Sequence, residues 1–331
     1  MRALVTGAGG FVGAHLVARL VADGWDVVGT VRPGSGPGAS ANEPRRNAVE
    51  PRSAAAQPPG AERLAALGCL GPGRVELVAA DLPDRDQVAA VARHADPDVA
   101  FLLAAARADA TPEDRAATAA VNTSSGVWIV DALSPRCQAV VRLGSSTEYA
   151  AADGPMNEDT PLRPRGFFGA TKAAGSLLVV AAADRRGLRS AVLRAFQVYG
   201  PHDHPGRLVP TAVRAARNGA TLPLTRPGRG RDWVYVDDVV EACLRAAVAD
   251  NLRPGQVLNV GTGRQVANEA VVAELERVSG RRIVTTPGAH PGRHWDTTSW
   301  VCDPSLARDL LGWEAKVDLT EGLRRCWEAV E

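Results

Sequence analysis

The sequence predicts an α/β fold, a doubly wound parallel sheet with a smaller C-terminal region, on three observations. Short aliphatic and β-branched runs alternate with stretches of helical periodicity through most of the 331 residues, the pattern of a parallel sheet with helices on both faces. The first apolar run ends in a glycine cluster that opens a helix, the layout of a dinucleotide-binding turn. The chain is 45% hydrophobic and 23% charged, ordinary for a globular protein with room for one large domain or two intimately packed ones.

Residues 2–6 form the first strand, followed by Gly7-Ala8-Gly9-Gly10-Phe11-Val12-Gly13 and an amphipathic helix to about Asp23. Gly7 permits the turn, Gly10 lets the backbone approach a pyrophosphate, and Gly13 lets the helix pack closely on the strand. The helix N-terminus then presents free N–H groups to the phosphates. A second strand covers residues 26–32. NAD enzymes usually end this strand with an acid that accepts hydrogen bonds from the adenosine ribose, but Val31 and Arg32 stand here. An arginine can pair with a 2′-phosphate, so NADP(H) is expected over NAD(H).

Residues 33–60, rich in Gly, Pro, Ser and Ala, read as a long surface insertion. Helical character returns over residues 61–67, and a strand over residues 75–80 runs to Asp81-Leu82, a natural place to hold adenine edges. Residues 98–103 form a buried strand, after which Ala104, Ala105 and Ala106 leave room in the crevice at the carboxyl ends of the strands. Asn122 is expected to start an apolar helix over residues 127–133. A strand over residues 139–143 leads into Gly144-Ser145-Ser146-Thr147-Glu148-Tyr149, whose hydroxyls suit either a carbonyl substrate or plain turn chemistry.

Gly166-Phe167-Phe168-Gly169-Ala170-Thr171-Lys172 opens a helix running to about Asp184. Lys172 is one of two lysines, the other 36 of the 38 basic residues being arginine, which suggests a need for a compact ammonium here. Phe168, one turn earlier on the same face, has no proton to give. A strand over residues 190–196 follows, then Gln197 and the loop His202-Asp203-His204. A helix at 208–218, an edge strand at 222–224, the run Arg231 to Asp238 entering a helix at 239–248, and a strand and turn at 257–263 come next. Helices at 267–279, 304–311 and 320–330 complete the chain.

A net charge of +1 gives no general electrostatic reason to expect nucleic acid or an anionic membrane as partner. No apolar run reaches the roughly 18 residues of a membrane span, and the first residues lead into a glycine turn rather than a signal peptide. The five scattered cysteines lack ligand spacing, so a reducing cytoplasm and no structural metal are expected.

Together these segments resemble the extended short-chain dehydrogenase/reductase family, in its nucleotide-sugar epimerase, dehydratase and ketoreductase branch. The resemblance rests, in chain order, on Val5 to Gly13, Asp81-Leu82, Leu103-Ala104-Ala105, Ser145 to Tyr149, residues 157–161, Gly169 to Lys172, Arg231 to Asp238 and Leu311-Gly312-Trp313. It implies a Rossmann-type NADP-binding domain over residues 1–199 and 231–262, and a nucleotide-sugar-binding region over residues 200–230 and 263–331. It places Gly7, Gly10, Phe11, Val12 and Gly13 at the pyrophosphate, Arg32 at the adenosine ribose, Asp81 and Leu82 at the adenine, and Ala104 and Ala105 along the cofactor cleft. Ser145 matches the catalytic Ser/Thr that hydrogen-bonds the reacting oxygen, and Lys172 the lysine that holds the nicotinamide ribose. Arg231 and Arg293 match the pair that grips the substrate diphosphate, where guanidinium groups bind phosphate oxygens bidentately. Ser146 and Gln197 fall beside the substrate. The helices over 122–133 and 168–184 look like those of a four-helix homodimer interface.

Four positions depart from the family pattern. Phe168 stands at the catalytic tyrosine, and none of Tyr149, Tyr199 and Tyr235 has a lysine four residues on. Ser146 and Thr147 replace the Asp–Glu pair of 4,6-dehydratases, which argues against water elimination. Gln197 replaces an asparagine that usually contacts the substrate phosphates. Losing a positioned acid or base costs roughly 10²–10⁴-fold, and a reversible epimerase, which takes and returns the proton each cycle, suffers most. The leading expectation is an NADP(H)-dependent reductase of a nucleotide-linked 4-ketosugar, with the proton supplied by Ser145, a water held by Lys172, or His202 and His204. The alternatives are a nucleotide-sugar epimerase or related redox-neutral enzyme with retained NAD(P), and a cofactor-binding protein with little or no catalysis.

Overall fold

The computed structural model describes residues 1–33, 60–69, 75–107, 110–290 and 299–329. Its centre is a parallel sheet of β1 (Arg2–Thr6), β2 (Asp26–Val31), β3 (Val75–Ala79), β4 (Val99–Leu102), β5 (Ala139–Leu143), β6 (Arg189–Ala195) and β10 (Gln256–Val260), ordered β3-β2-β1-β4-β5-β6-β10. The inner strands are near-continuous apolar runs, all four residues of β4 being buried, as expected where helices cover both faces. Because β1 pairs with both β2 and β4, the winding reverses beside β1. The reversal opens a crevice at the carboxyl ends of the strands, where ligands of this architecture bind.

One face of the sheet packs α1 (Phe11–Ala22), α2 (Gly60–Ala66), α8 (Val236–Val248) and α10 (Ser305–Leu311); the other packs α3 (Arg85–Ala95), α5 (Ser124–Ala132) and α6 (Phe167–Arg185). A separate core joins α7 (Leu208–Asn218), α9 (Asn268–Ser279) and α11 (Leu319–Glu328) to a small sheet of β7 (Gln197–Tyr199), β9 (Gly230–Tyr235) and β11 (Gln265–Ala267). A two-stranded pair, β8 (Leu222–Pro223) and β12 (Thr285–Thr286), borders it. Trp313, fully enclosed, donates its indole N–H to Asp238 O at 2.9 Å and ties the C-terminal segment to α8.

Several expectations are corrected. Asn122 does not start a helix; it ends α4 (Pro112–Asn122), a helix opened by the Thr111–Asp114 capping box, a signal the hydrophobic pattern alone does not carry. Helix α3, capped by Asp84, is a further element that no continuous apolar run marks. Helix α8 begins at Val236 rather than at 239, because Asp237 and Asp238 sit favourably in a positively polarised first turn. Finally, α6 is long and apolar enough by length and composition to cross a bilayer, where no such run was expected. Half of it is buried inside the fold, and its enclosed face carries Lys172.

Candidate active site

The turn between β1 and α1 is shaped by what its glycines exclude. Gly7 has φ +70, a conformation that a Cβ disfavours, and Gly10 N–H donates to Gly7 O at 2.8 Å. A Cβ at Gly13 would stand 2.1 Å from Gly7 O, and one at Gly10 2.9 Å from it. The N-terminus of α1 has no side-chain cap, so the N–H groups of its first turn, which includes Phe11, Val12 and Gly13, lack intrahelical acceptors. A glycine-rich cradle with surplus donors fits a dinucleotide diphosphate. Beside it, Ala104 is half-buried and Ala105 exposed, leaving the strand end low. Arg32 is exposed at the end of β2 and Asp81 at the end of β3, with Leu82 half-buried next to it. Most of the expected insertion, residues 34–59, lies outside the described residues.

Sequence reasoning passed over Arg63. This side chain of α2 is 4% exposed; Nη1 donates to Gly9 O at 2.6 Å and Nε to His202 O at 3.1 Å. It fastens the glycine turn to the loop after β7, where His202 itself has φ +62. His15 of α1 reaches the same loop, its Nε2 lying 3.0 Å from Pro201 O.

At the carboxyl end of β5, Lys172 is enclosed and donates from Nζ to Leu143 O. Burial, and then the charge of Arg142, push its pKa down to about 7. Fully buried Glu148 organises the turn above it. Oε1 accepts Ser145 N–H at 2.8 Å and the Ser176 hydroxyl at 3.2 Å, while Oε2 accepts from Arg194 Nε at 3.0 Å. Ser145 Oγ lies 2.8 Å from Thr147 Oγ1, and Ser146 Oγ accepts the Trp300 indole N–H at 2.9 Å. Arg142 threads between two helices at positions without side chains: a Cβ at Gly175 would meet its Nη2 at 2.2 Å.

Asn122 is the hub on the other side. Its Oδ1 accepts Ala106 N–H at 2.8 Å, and its Nδ2 donates to Ala106 O at 2.9 Å and to Thr171 Oγ1 at 2.9 Å. Residue 107 follows directly, and the Arg107 guanidinium lies 3.9 Å from the centre of the half-buried Phe168 ring. The three tyrosines are engaged elsewhere. Tyr149 OH donates to Asn259 Oδ1 at 2.6 Å, Tyr199 OH donates to Asp318 O at 3.4 Å, and Tyr235 is buried beneath Arg325.

Arg231 and Gln197 are half-buried on the small sheet, Arg231 donating to Gly230 O at 2.7 Å. Its neighbour Asp232 is fully buried and accepts the N–H groups of Thr262, Gly263 and Cys302 at 2.7, 2.9 and 3.0 Å, so it fixes the strand that carries Arg231. Arg293 lies outside the described residues. His202 and His204 are partly buried, which disfavours their charged forms. The structure thus gathers Ser145, Phe168 and Lys172 around the end of β5 and sets Arg231 and Gln197 on a separate sheet.

The family described as the NAD dependent epimerase/dehydratase family matches residues 3–261 of the chain. A UDP-glucose 4-epimerase of Mycolicibacterium smegmatis is 29% identical over 99% of this chain and 98% of the relative. A dTDP-glucose 4,6-dehydratase of Streptomyces niveus is 26% identical over 98% of this chain and 90% of the relative. Among solved structures, MoeE5 in complex with UDP-glucuronic acid and NAD has a TM-score of 0.79 and 28% identity, covering 99% of this chain and 98% of that one.

Proposed function

Because the chain belongs to the NAD dependent epimerase/dehydratase family, we propose that it retains NAD or NADP in the crevice and acts on a nucleotide-linked hexose by redox-neutral hydride exchange, as a 4-epimerase does. The observation that carries this is the end-to-end similarity to a 4-epimerase, joined to a glycine cradle in which added side chains would collide with backbone. Relatives that span the chain include an epimerase and a dehydratase, which supports this reading over the net 4-ketosugar reduction expected from the sequence.

In this reading the N–H groups of Phe11, Val12 and Gly13 hold the dinucleotide diphosphate, and Ala104 and Ala105 leave space for its nicotinamide end. When bound, the nicotinamide accepts and returns hydride. Ser145 hydrogen-bonds the reacting sugar oxygen, Lys172 holds a ribose hydroxyl, and Arg231 and Arg293 take the substrate diphosphate. Residues 1–199 and 231–262 serve the cofactor, and residues 200–230 and 263–331 the sugar nucleotide. Phe168, in place of the usual tyrosine, walls the site without supplying a proton, which slows turnover. Helices α5 and α6 form the homodimer interface, supported by the exposure of Leu177 and Leu178 on α6.

A second reading, NADPH-driven reduction of a 4-ketosugar, is favoured by Phe168 and by Arg32 at the end of β2, since net reduction needs only one proton per turnover. The two separate on purified protein. Co-purifying oxidised cofactor, with C4 epimers of UDP-glucose, UDP-glucuronic acid or dTDP-glucose forming without net cofactor change, supports the epimerase. Consumption of NADPH with a 4-ketosugar nucleotide supports the reductase. Tight cofactor binding with neither activity reduces the protein to a binding module and overturns both.

A further inference from the structure

We propose that Arg107 selects the sugar: its guanidinium receives a carboxylate on the hexose, so that nucleotide-linked uronic acids are preferred to neutral hexoses. This rests on the reading above, that the crevice takes a nucleotide sugar.

Arg107 is an exposed side chain on a fixed root. Asn122 holds the preceding residue, Ala106, through both its N–H and its carbonyl. The same amide donates to Thr171 Oγ1, which in turn donates to Phe168 O at 3.0 Å. One buried residue therefore sets both the strand end that carries Arg107 and the helix start that carries Phe168. The guanidinium lies over the Phe168 ring at 3.9 Å, a favourable cation–π distance. The apolar ring shields one side from water and strengthens pairing with an incoming anion.

Positive groups converge beside Arg107. Asp203, 8% exposed, faces the guanidinium groups of Arg207, Arg107 and Arg63. Its Oδ1 already accepts the N–H of His204 at 2.6 Å. Of these four groups, three are positive and one negative. His204 feels the same three arginines, and the charge of Arg107 also opposes protonation of Lys172. A carboxylate entering at Arg107 is attracted by these guanidinium groups, whereas a hydroxymethyl group is not. The planar fork of arginine suits a carboxylate in a way that an ammonium does not. The similar structure of MoeE5 was solved with UDP-glucuronic acid and also with UDP-glucose, so both sugars belong in the comparison.

The test is equilibrium binding of UDP-glucuronic acid, UDP-glucose and UDP to the cofactor-loaded protein, comparing wild type with Arg107→Leu and Arg107→Lys. Wild type is expected to bind UDP-glucuronic acid roughly tenfold or more tightly than UDP-glucose, the worth of one charged hydrogen-bonded contact. Arg107→Leu should bring the two within about twofold, and Arg107→Lys should fall between. Unchanged UDP binding in all three proteins shows that fold and nucleotide site are intact. Equal affinities in wild type, or a preference that survives Arg107→Leu, overturns the proposal. Failure of wild type to bind UDP or either sugar nucleotide overturns the reading beneath it, and the proposal with it.

Discussion

Lys172 and Arg142 are two buried cations set about one buried carboxylate, that of Glu148. Burial, and then the charge of Arg142, push the Lys172 pKa down to about 7, against the opposing pull of Glu148, which already accepts from Arg194, Ser145 and Ser176. This value lies below the ordinary lysine value near ~10.4 that holds in the unfolded chain. The unfolded state therefore binds this proton more tightly, and stability falls as pH drops from about 10 to about 7, below which the cost is constant. Lys172→Met should remove that slope. The variant is expected to gain about 2–4 kcal/mol relative to wild type at pH 7 compared with pH 10, read from denaturant unfolding at both pH values.

Replacing Arg142 acts on the same proton from a distance. Arg142→Met keeps apolar bulk against Gly126 and Gly175 but removes a positive charge that disfavours the Lys172 ammonium. The pKa of Lys172 should rise by about one unit. The limb it controls in the pH profile of kcat/KM should move to higher pH with little change in cofactor affinity. An unmoved limb would mean that Lys172 is not the titrating group.

Phe168→Tyr places a hydroxyl one helical turn before Lys172, beneath the Arg107 guanidinium. If proton transfer limits the reaction, turnover should rise by roughly 10²-fold with sugar-nucleotide affinity little changed. A variant no faster than wild type would show that the proton travels by another route.

Arg63 joins two carbonyls, Gly9 O and His202 O, with two separate nitrogens. Arg63→Ala should free the glycine turn from the loop after β7, weakening dinucleotide binding by roughly tenfold and lowering the melting temperature. Arg63→Lys should rescue neither, since one ammonium on a flexible stem cannot replace the fork. Calorimetric titration with NAD and NADP reads the effect directly.

The same titration tests the end of β2. If Arg32 accepts a 2′-phosphate, Arg32→Asp should reverse an NADP preference in favour of NAD by roughly tenfold or more, through like-charge repulsion added to a lost contact. Equal losses for both dinucleotides would place Arg32 outside the ribose site.

Local order was largely legible in the chain itself. Seven apolar runs and the glycine spacing at 7, 10 and 13 disclose the strands and the first turn, because strand burial and backbone approach leave their mark within a few consecutive residues. The family motifs likewise singled out Ser145, Phe168 and Lys172. The contacts that decide how those residues behave have no such local trace. Asn122 looks like a helix start and is instead the clamp on Ala106 and Thr171. Glu148 lies next to Tyr149 in an ordinary-looking turn, yet meets Arg194 from 46 residues away. Arg63 reads as one solvated arginine among 36 and is buried between loops 54 and 139 residues distant. Only packing β4, β5 and α6 together brings Arg107 over Phe168 and leaves Lys172 without water, and removal from water governs what a buried charge does.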